Sequence, residues 1–221
     1  MTRVLKAGRK GPQSGTIRSV VVFLHGYGAN GADLLGLADV LGEHLPDTLF
    51  VAPDAPETIP MMPSGLQWFP IPWIDGSSEE EAERGLMAAS DDLNAFLDAL
   101  MVDEDVLPEQ VVLFGFSQGT MMALHVGPRR EDSLAGIVAI SGRLLAPDLL
   151  QDEVKTRPPV LLLHGDQDDV VPPKSLPEIA EALQAAGWQD VFAHVMKGTA
   201  HGIAPDGLSV ALAFMRDKLG L

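Results

Sequence analysis

The chain contains no cysteine, which excludes a disulfide framework, a thiol nucleophile and any thiolate metal site. It has no stretch approaching the ~20 apolar residues that a membrane-spanning helix needs, so integral membrane association is not expected. Basic residues are scarce, at 15 Lys and Arg against 31 Asp and Glu, for a formal net charge of −16. A surface of that sign repels phosphate backbones and anionic lipid, so nucleic acid is not an expected partner. Solubility is the plainer use of that charge. No internal repeat or low-complexity linker divides the 221 residues, a length that suits one domain over 1–221. Met1–Lys10 is positively charged but no apolar stretch follows it, so no secretory signal is expected and a cytoplasmic location is.

What is present is an alternation of apolar runs and helical patterns. Ser19–His25, Thr48–Ala52, Gln110–Phe114, Leu134–Ile140, Val160–Leu163 and Val191–Val195 read as strands, most of them buried on both faces. Ala82, Leu86, Ala89, Leu93, Phe96, Leu97 and Leu100 repeat at helical spacing behind a Ser78/Glu81 capping box. Ile179, Ala180, Leu183 and Ala186 form a second stripe closed by Gly187, and Leu208, Ala211, Leu212, Met215 and Leu219 a third. Strands alternating with helices predict an α/β fold with a mainly parallel sheet covered on both faces. Ligands in such sheets collect where the carboxyl ends of the strands emerge.

Residues 53–78 break the rhythm, with six prolines and no convincing helix or strand. The segment also carries Met61, Met62, Trp68, Phe69, Ile71 and Trp73, a content that argues against disorder. Two uses are open: these side chains cap the core beneath a loop, or they form an apolar wall or lid over a site.

The run Gly115-Phe-Ser-Gln-Gly119 follows an apolar strand and precedes a helical pattern. A strand-to-helix turn of this kind is so tight that Ser117 must project its hydroxyl over the sheet edge. A serine needs a base, and of six histidines His201 stands in a short loop between the last strand and the last helix. His25 and His164 each follow a strand and precede glycine, as turn braces do. An acid that orients the base is expected from His164-Gly-Asp-Gln-Asp-Asp-Val-Val-Pro172, where Asp166, Asp168 and Asp169 are all candidates. One of these should face the histidine, one brace the loop and one remain solvated. Negative charge developing on a carbonyl oxygen needs preorganised donors, for which the backbone amides of Gln118 and Tyr27 are placed. The turn His25-Gly-Tyr-Gly28 supplies the latter. A rival reading would use His164, Asp166, Asp168 and Asp169 as hard metal ligands, but the cluster lacks the glycine turn and terminal glutamate of an EF-hand loop.

Together these motifs resemble the phospholipase/carboxylesterase family of α/β-hydrolases, the bacterial relatives of acyl-protein thioesterases. The likeness lies in Phe23–Gly28, Gln67-Trp-Phe-Pro70, Gly115–Gly119, His164–Pro172 and Gly198-Thr-Ala-His201. The resemblance implies an α/β-hydrolase fold with Asp168 as the acid. It implies no cofactor or metal, and a small-molecule ester substrate with a short to medium apolar acyl chain. Thioesters and lysophospholipids are alternative substrates for the same three residues, and a ligand-binding pseudo-hydrolase is the non-enzymatic alternative. Met62, Trp68, Phe69, Ile71 and Leu145 are the expected pocket residues. A homodimer is left open, because apolar loop residues could equally bury against a twin subunit.

Overall fold

The six apolar runs become six strands of one seven-stranded sheet in a computed structural model that describes residues 2–60 and 62–221, the side chain of Pro63 excepted. In chain order the elements are β1 (Ala7–Lys10), β2 (Ser19–Leu24), α1 (Gly31–Leu35), α2 (Ala38–Leu41), β3 (Thr48–Pro53), β4 (Glu57–Ile59) and β5 (Met62–Gln67). There follow α3 (Pro72–Asp75), α4 (Glu79–Asp103), β6 (Val111–Phe116), α5 (Gln118–Val126), β7 (Gly136–Ile140) and α6 (Pro147–Glu153). The chain closes with β8 (Val160–Gly165), α7 (Ser175–Ala185), β9 (Val191–Met196) and α8 (Pro205–Lys218). The strand order is β1-β3-β2-β6-β7-β8-β9, parallel throughout except where β1 pairs antiparallel with β3.

Alternation along β2 divides the core into two layers. Val20, Val22 and Leu24 pack with Leu93, Leu97 and Leu100 of α4 and Met122 of α5 on one face. Val21 and Phe23 pack with Phe50, Leu41, Phe214 and Met215 on the other. Phe23 stacks on Phe50 and meets Phe114 edge-on, with ring centroids 5.7 and 5.2 Å apart. Each such side chain contributes about 1.5–3 kcal/mol on full burial, so the central strands are the best anchored part of the sheet. The capping box forms as read: Glu81 N donates to Ser78 Oγ and Ser78 N to Glu81 Oε2. Among the described residues no helix is long and apolar enough to cross a membrane.

Residues 53–78 depart from the expectation of a segment without regular structure. They contain the β4–β5 hairpin and the single turn of α3. The hairpin is irregular, with a register shift between Thr58 and Ile59, and β4 spans only three residues, too few to show a period of two. Pro72 starts α3 and Gly76, in the left-handed region at φ 76°, stops it. Met61 lies outside the described residues.

Candidate active site

The sequence Gly-x-Ser-x-Gly folds sharply because nothing larger than glycine fits on either side of the serine. A Cβ at Gly119 would lie 1.9 Å from the Leu24 carbonyl oxygen, and one at Gly115 would lie 2.5 Å from that of Gly119. Helix α5 is thereby drawn onto the ends of β2 and β6. Ser117, between them, has φ 55° and ψ −115°, a conformation that costs an ordinary residue about 1–3 kcal/mol. It is held by its amide donating to Ile140 O (2.9 Å) at the end of β7. Thr120 Oγ1 secures the same strand end, accepting from Ile140 N at 2.8 Å.

Loops after β8 and β9 bring the other two groups to this turn. His201 Nε2 is 3.0 Å from Ser117 Oγ, and His201 Nδ1 is 2.8 Å from Asp168 Oδ2. With the ring proton on Nδ1, the imidazole donates to the carboxylate and accepts from the hydroxyl. Phe116 packs its ring against that of His201 at 4.9 Å between centroids. Asp168 is 4% exposed, and its Oδ1 accepts from the amides of Val170 (3.0 Å) and Val171 (2.8 Å). Burial pushes its pKa upward, but the hydrogen bonds from His201, Val171 and Val170 outweigh burial and hold the carboxyl below its ordinary value. The group therefore stays ionised.

The three aspartates divide their tasks much as the loop chemistry suggests. Asp166 Oδ1 accepts from Gly198 N (2.7 Å), tying the β8 loop to the loop that carries His201, and Asp169 is exposed. Asp168 both faces the histidine and braces its own turn. The carboxylates point to different partners, and among the described residues no group of three His, Asp or Glu side chains converges as metal ligands would. His164 and His25 brace turns as expected. His164 Nε2 donates to Val171 O (2.9 Å) and lies 3.3 Å from Asp168 Oδ2. His25 Nδ1 donates to Gly26 O (2.8 Å) and its Nε2 accepts from Ala55 N (3.0 Å).

Two further donors flank Ser117. The amides of Tyr27 and Gln118 have no hydrogen-bond acceptor among the described residues. Gly26 is pressed against the serine, since a Cβ there would stand 3.1 Å from Ser117 Cβ. Gln118 N opens helix α5, where amides lack intrahelical partners. The arrangement is a hydroxyl, an imidazole and a carboxylate in hydrogen-bonded series, with the unpaired amide of Gln118 next to Ser117 in the chain and that of Tyr27 next to Gly26, which packs against the serine.

A model of the Phospholipase/Carboxylesterase family matches residues 12–219. The chain belongs to the phospholipase/carboxylesterase family. It is 30% identical over 219 residues to "Acyl-protein thioesterase 1" of Saccharomyces cerevisiae, covering 91% of this chain and 93% of that one. The solved esterase PE8 superposes with a TM-score of 0.92 at 40% identity, covering 98% of this chain and 100% of that one. Zea mays acyl-protein thioesterase 2 superposes at 0.77 with 24% identity over 97% and 99% of the two chains, a likeness of fold alone. The sheet and its helices are thus an α/β-hydrolase fold, and the class of the protein is hydrolase.

Around the serine of this family member, the residues expected to wall a pocket divide. Trp68 does not wall one: it is fully buried, and its Nε1 donates to His25 O at 3.0 Å. The indole is held inward because both its polar atom and its apolar face find partners in the core. Phe69 and Ile71 are also nearly buried, yet with Trp73, Leu86 and Leu145 they line a hollow of about 260 Å³. Met62 is 45% exposed and, with Tyr27, Ile59, Pro70 and Ile74, lines a groove of about 880 Å³. Met62 Cε lies 3.3 Å from where a Cβ on Gly28 would be, so the β4–β5 hairpin covers the Tyr27 turn. A function of Gln118 beyond its amide was not legible in the sequence. Its buried side chain accepts from Trp68 N (3.0 Å) and donates to Phe69 O (2.7 Å), clamping the segment after β5 onto α5.

Proposed function

We propose that this protein is a serine hydrolase of carboxylic esters bearing short to medium apolar acyl chains, and that it works through an acyl-enzyme. The observation that carries the reading is the series Ser117 Oγ, His201 and Asp168 at 3.0 and 2.8 Å. Ser117 Oγ attacks the ester carbonyl while His201 Nε2 takes its proton, and Asp168 stabilises the imidazolium through Nδ1–H. The carbonyl oxygen becomes an oxyanion that the amides of Tyr27 and Gln118 receive. Collapse breaks the bond to the alcohol, which leaves with the proton from His201. Water then gives its proton to His201, attacks the acyl-serine and releases the acid. The groove under the hairpin and the hollow at Phe69, Ile71 and Leu145 offer apolar surface for the acyl chain.

The same steps cleave a thioester, and the likeness to the yeast acyl-protein thioesterase favours that second reading. A hydrolysis panel decides between them: matched oxygen and thiol esters with acyl chains of increasing length, with Ser117→Ala as control. Ester hydrolysis that falls at least about 10³-fold in Ser117→Ala is expected. Thioester turnover far above that of the matched esters would favour the second reading. Failure of the wild-type serine to react with a phosphonylating probe would return the chain to a ligand-binding role.

A further inference from the structure

Arg143 follows Gly142, the residue whose Cβ, if present, would lie 2.8 Å from the carbonyl oxygen of Ser117. In so acidic a chain most arginines are neutralised: Arg3, Arg9, Arg18, Arg84, Arg129 and Arg130 each pair with a carboxylate. Arg143 is half-buried and has neither an ion pair nor a hydrogen bond among the described residues. Its guanidinium instead lies over the Trp73 ring, 5.4 Å from the centroid, which fixes its direction without using its donors.

A separate cavity of about 250 Å³ opens beside it, lined by Arg143, Leu144, Lys174, Ser175 and Glu178 among others. Lys174 and Glu178 neutralise one another at 3.3 Å. The charge left over the cavity is that of Arg143. Ser175, the first residue of the eleven-residue helix α7, is 3% exposed, lines the cavity, and its hydroxyl has no hydrogen-bond partner among the described residues. A guanidinium, the hydroxyl of a nearly buried serine and a helix start line one small space. Two short links connect its lining to the segments that carry the reacting groups. Arg143 is one residue from the wall of Ser117, and Ser175 N is bonded to Pro172 O in the loop that carries Asp168.

We propose that this cavity is an anion subsite, and that the preferred substrate is an ester carrying a carboxylate or phosphate on the arm that reaches Arg143 and Ser175. The proposal rests on the serine-hydrolase reading and deepens it. Loss of a charge-assisted hydrogen bond at a partly buried site is expected to lower kcat/KM about tenfold or more.

The test compares the 4-nitrophenyl monoester of glutaric acid with 4-nitrophenyl butyrate, and the butyryl ester of glycerol phosphate with monobutyrin. The first pair places the anion on the acyl arm and the second on the alcohol arm. Wild type, Arg143→Gln, Arg143→Lys, Ser175→Ala and, as a remote charge control, Arg216→Gln at an exposed position of α8 are measured. The anionic-to-neutral ratio of kcat/KM is expected to fall about tenfold in Arg143→Gln for one pair, through KM, and to recover in part in Arg143→Lys. Whichever pair responds identifies the arm. Ser175→Ala should lower the same ratio by a smaller factor, which keeps the proposal testable if Arg143→Gln does not fold. Ratios unchanged in both variants for both pairs, or lowered equally by Arg216→Gln, overturn the subsite. Hydrolysis persisting in Ser117→Ala would instead overturn the underlying reading.

Discussion

At the scale of single residues, the chemistry depends on which of three neighbouring aspartates faces His201. Chain spacing leaves Asp166, Asp168 and Asp169 equivalent, because a turn of unknown shape can present any of them. The folded loop separates them by burial: Asp168 is enclosed and receives three hydrogen bonds, Asp169 is exposed, and Asp166 reaches across to Gly198. Replacing Asp168 by Asn substitutes an amide that can donate toward His201 Nδ1 and so favours the tautomer with the proton on Nε2. That tautomer cannot accept from Ser117. We expect kcat to fall by about 10³–10⁴-fold in Asp168→Asn, as removal of a buried orienting carboxylate does elsewhere. Asp169→Asn should stay within about twofold of wild type. Steady-state kinetics on one ester checks both, and a large loss in Asp169→Asn with little in Asp168→Asn would make Asp169 the acid instead. His164 belongs to the same cluster as a positioning group. Its contact with Val171 O holds the turn whose amides bind Asp168 Oδ1. His164→Ala should lower kcat and also cost about 1–3 kcal/mol of stability, read by urea unfolding, because a buried carbonyl loses its donor.

At the scale of elements, the parallel strands and long helices were legible because their burial imposes a period. Runs such as Val20–Leu24 are apolar without interruption, and α4 repeats its apolar side every three or four residues. Strand β1 was not legible: Ala7–Lys10 is a mostly exposed edge whose pairing with β3 comes from the backbone, not from apolar side chains. The β4–β5 hairpin escaped notice for a related reason, being short, rich in proline and irregular in register. Trp68 was misread because a tryptophan in a loop looks like a wall, whereas the Gln118 side chain draws this segment against α5. That clamp joins α5, the helix that follows Ser117, to the segment after the hairpin that covers the Tyr27 turn. Gln118→Ala leaves a buried amide and a buried carbonyl unpaired and should cost about 2–4 kcal/mol in chemical unfolding. It should also lower kcat/KM, since both amides proposed to receive the oxyanion lie at the elements it ties together. Unchanged stability in Gln118→Ala would show that the segment is held by its apolar contacts alone.

At the scale of the whole molecule, acid sensitivity separates into two ranges of pH. Two buried histidines have pKa values below the ordinary 6.5: His25, lowered by burial and partly restored by its bond to Gly26, and His125, lowered to about 4 by burial and the nearby Arg129 against a smaller opposing effect of Glu153. For such groups the unfolded chain binds the proton first. Their contribution to stability is therefore complete above about pH 6.5 and is lost as pH falls toward the folded value. For His125 a shift from 6.5 to about 4 corresponds to about 3 kcal/mol. Asp168, whose pKa is also lowered, loses its contribution only as pH passes down through the carboxylate range. Between pH 7 and 4.5 the decline belongs mainly to the histidines. Relief of self-repulsion among the many carboxylates acts in the opposite sense over the same interval. It acts equally on a variant that changes one histidine, so it cancels in the difference. His125 Nδ1 has no hydrogen-bond partner among the described residues, and replacing the ring by Met therefore removes no bond through that atom. His125→Met should unfold in urea within about 1.5 kcal/mol of wild type at pH 7. It should lose about 2 kcal/mol less than wild type on going to pH 4.5, and parallel declines in the two proteins would place the acid-sensitive proton elsewhere.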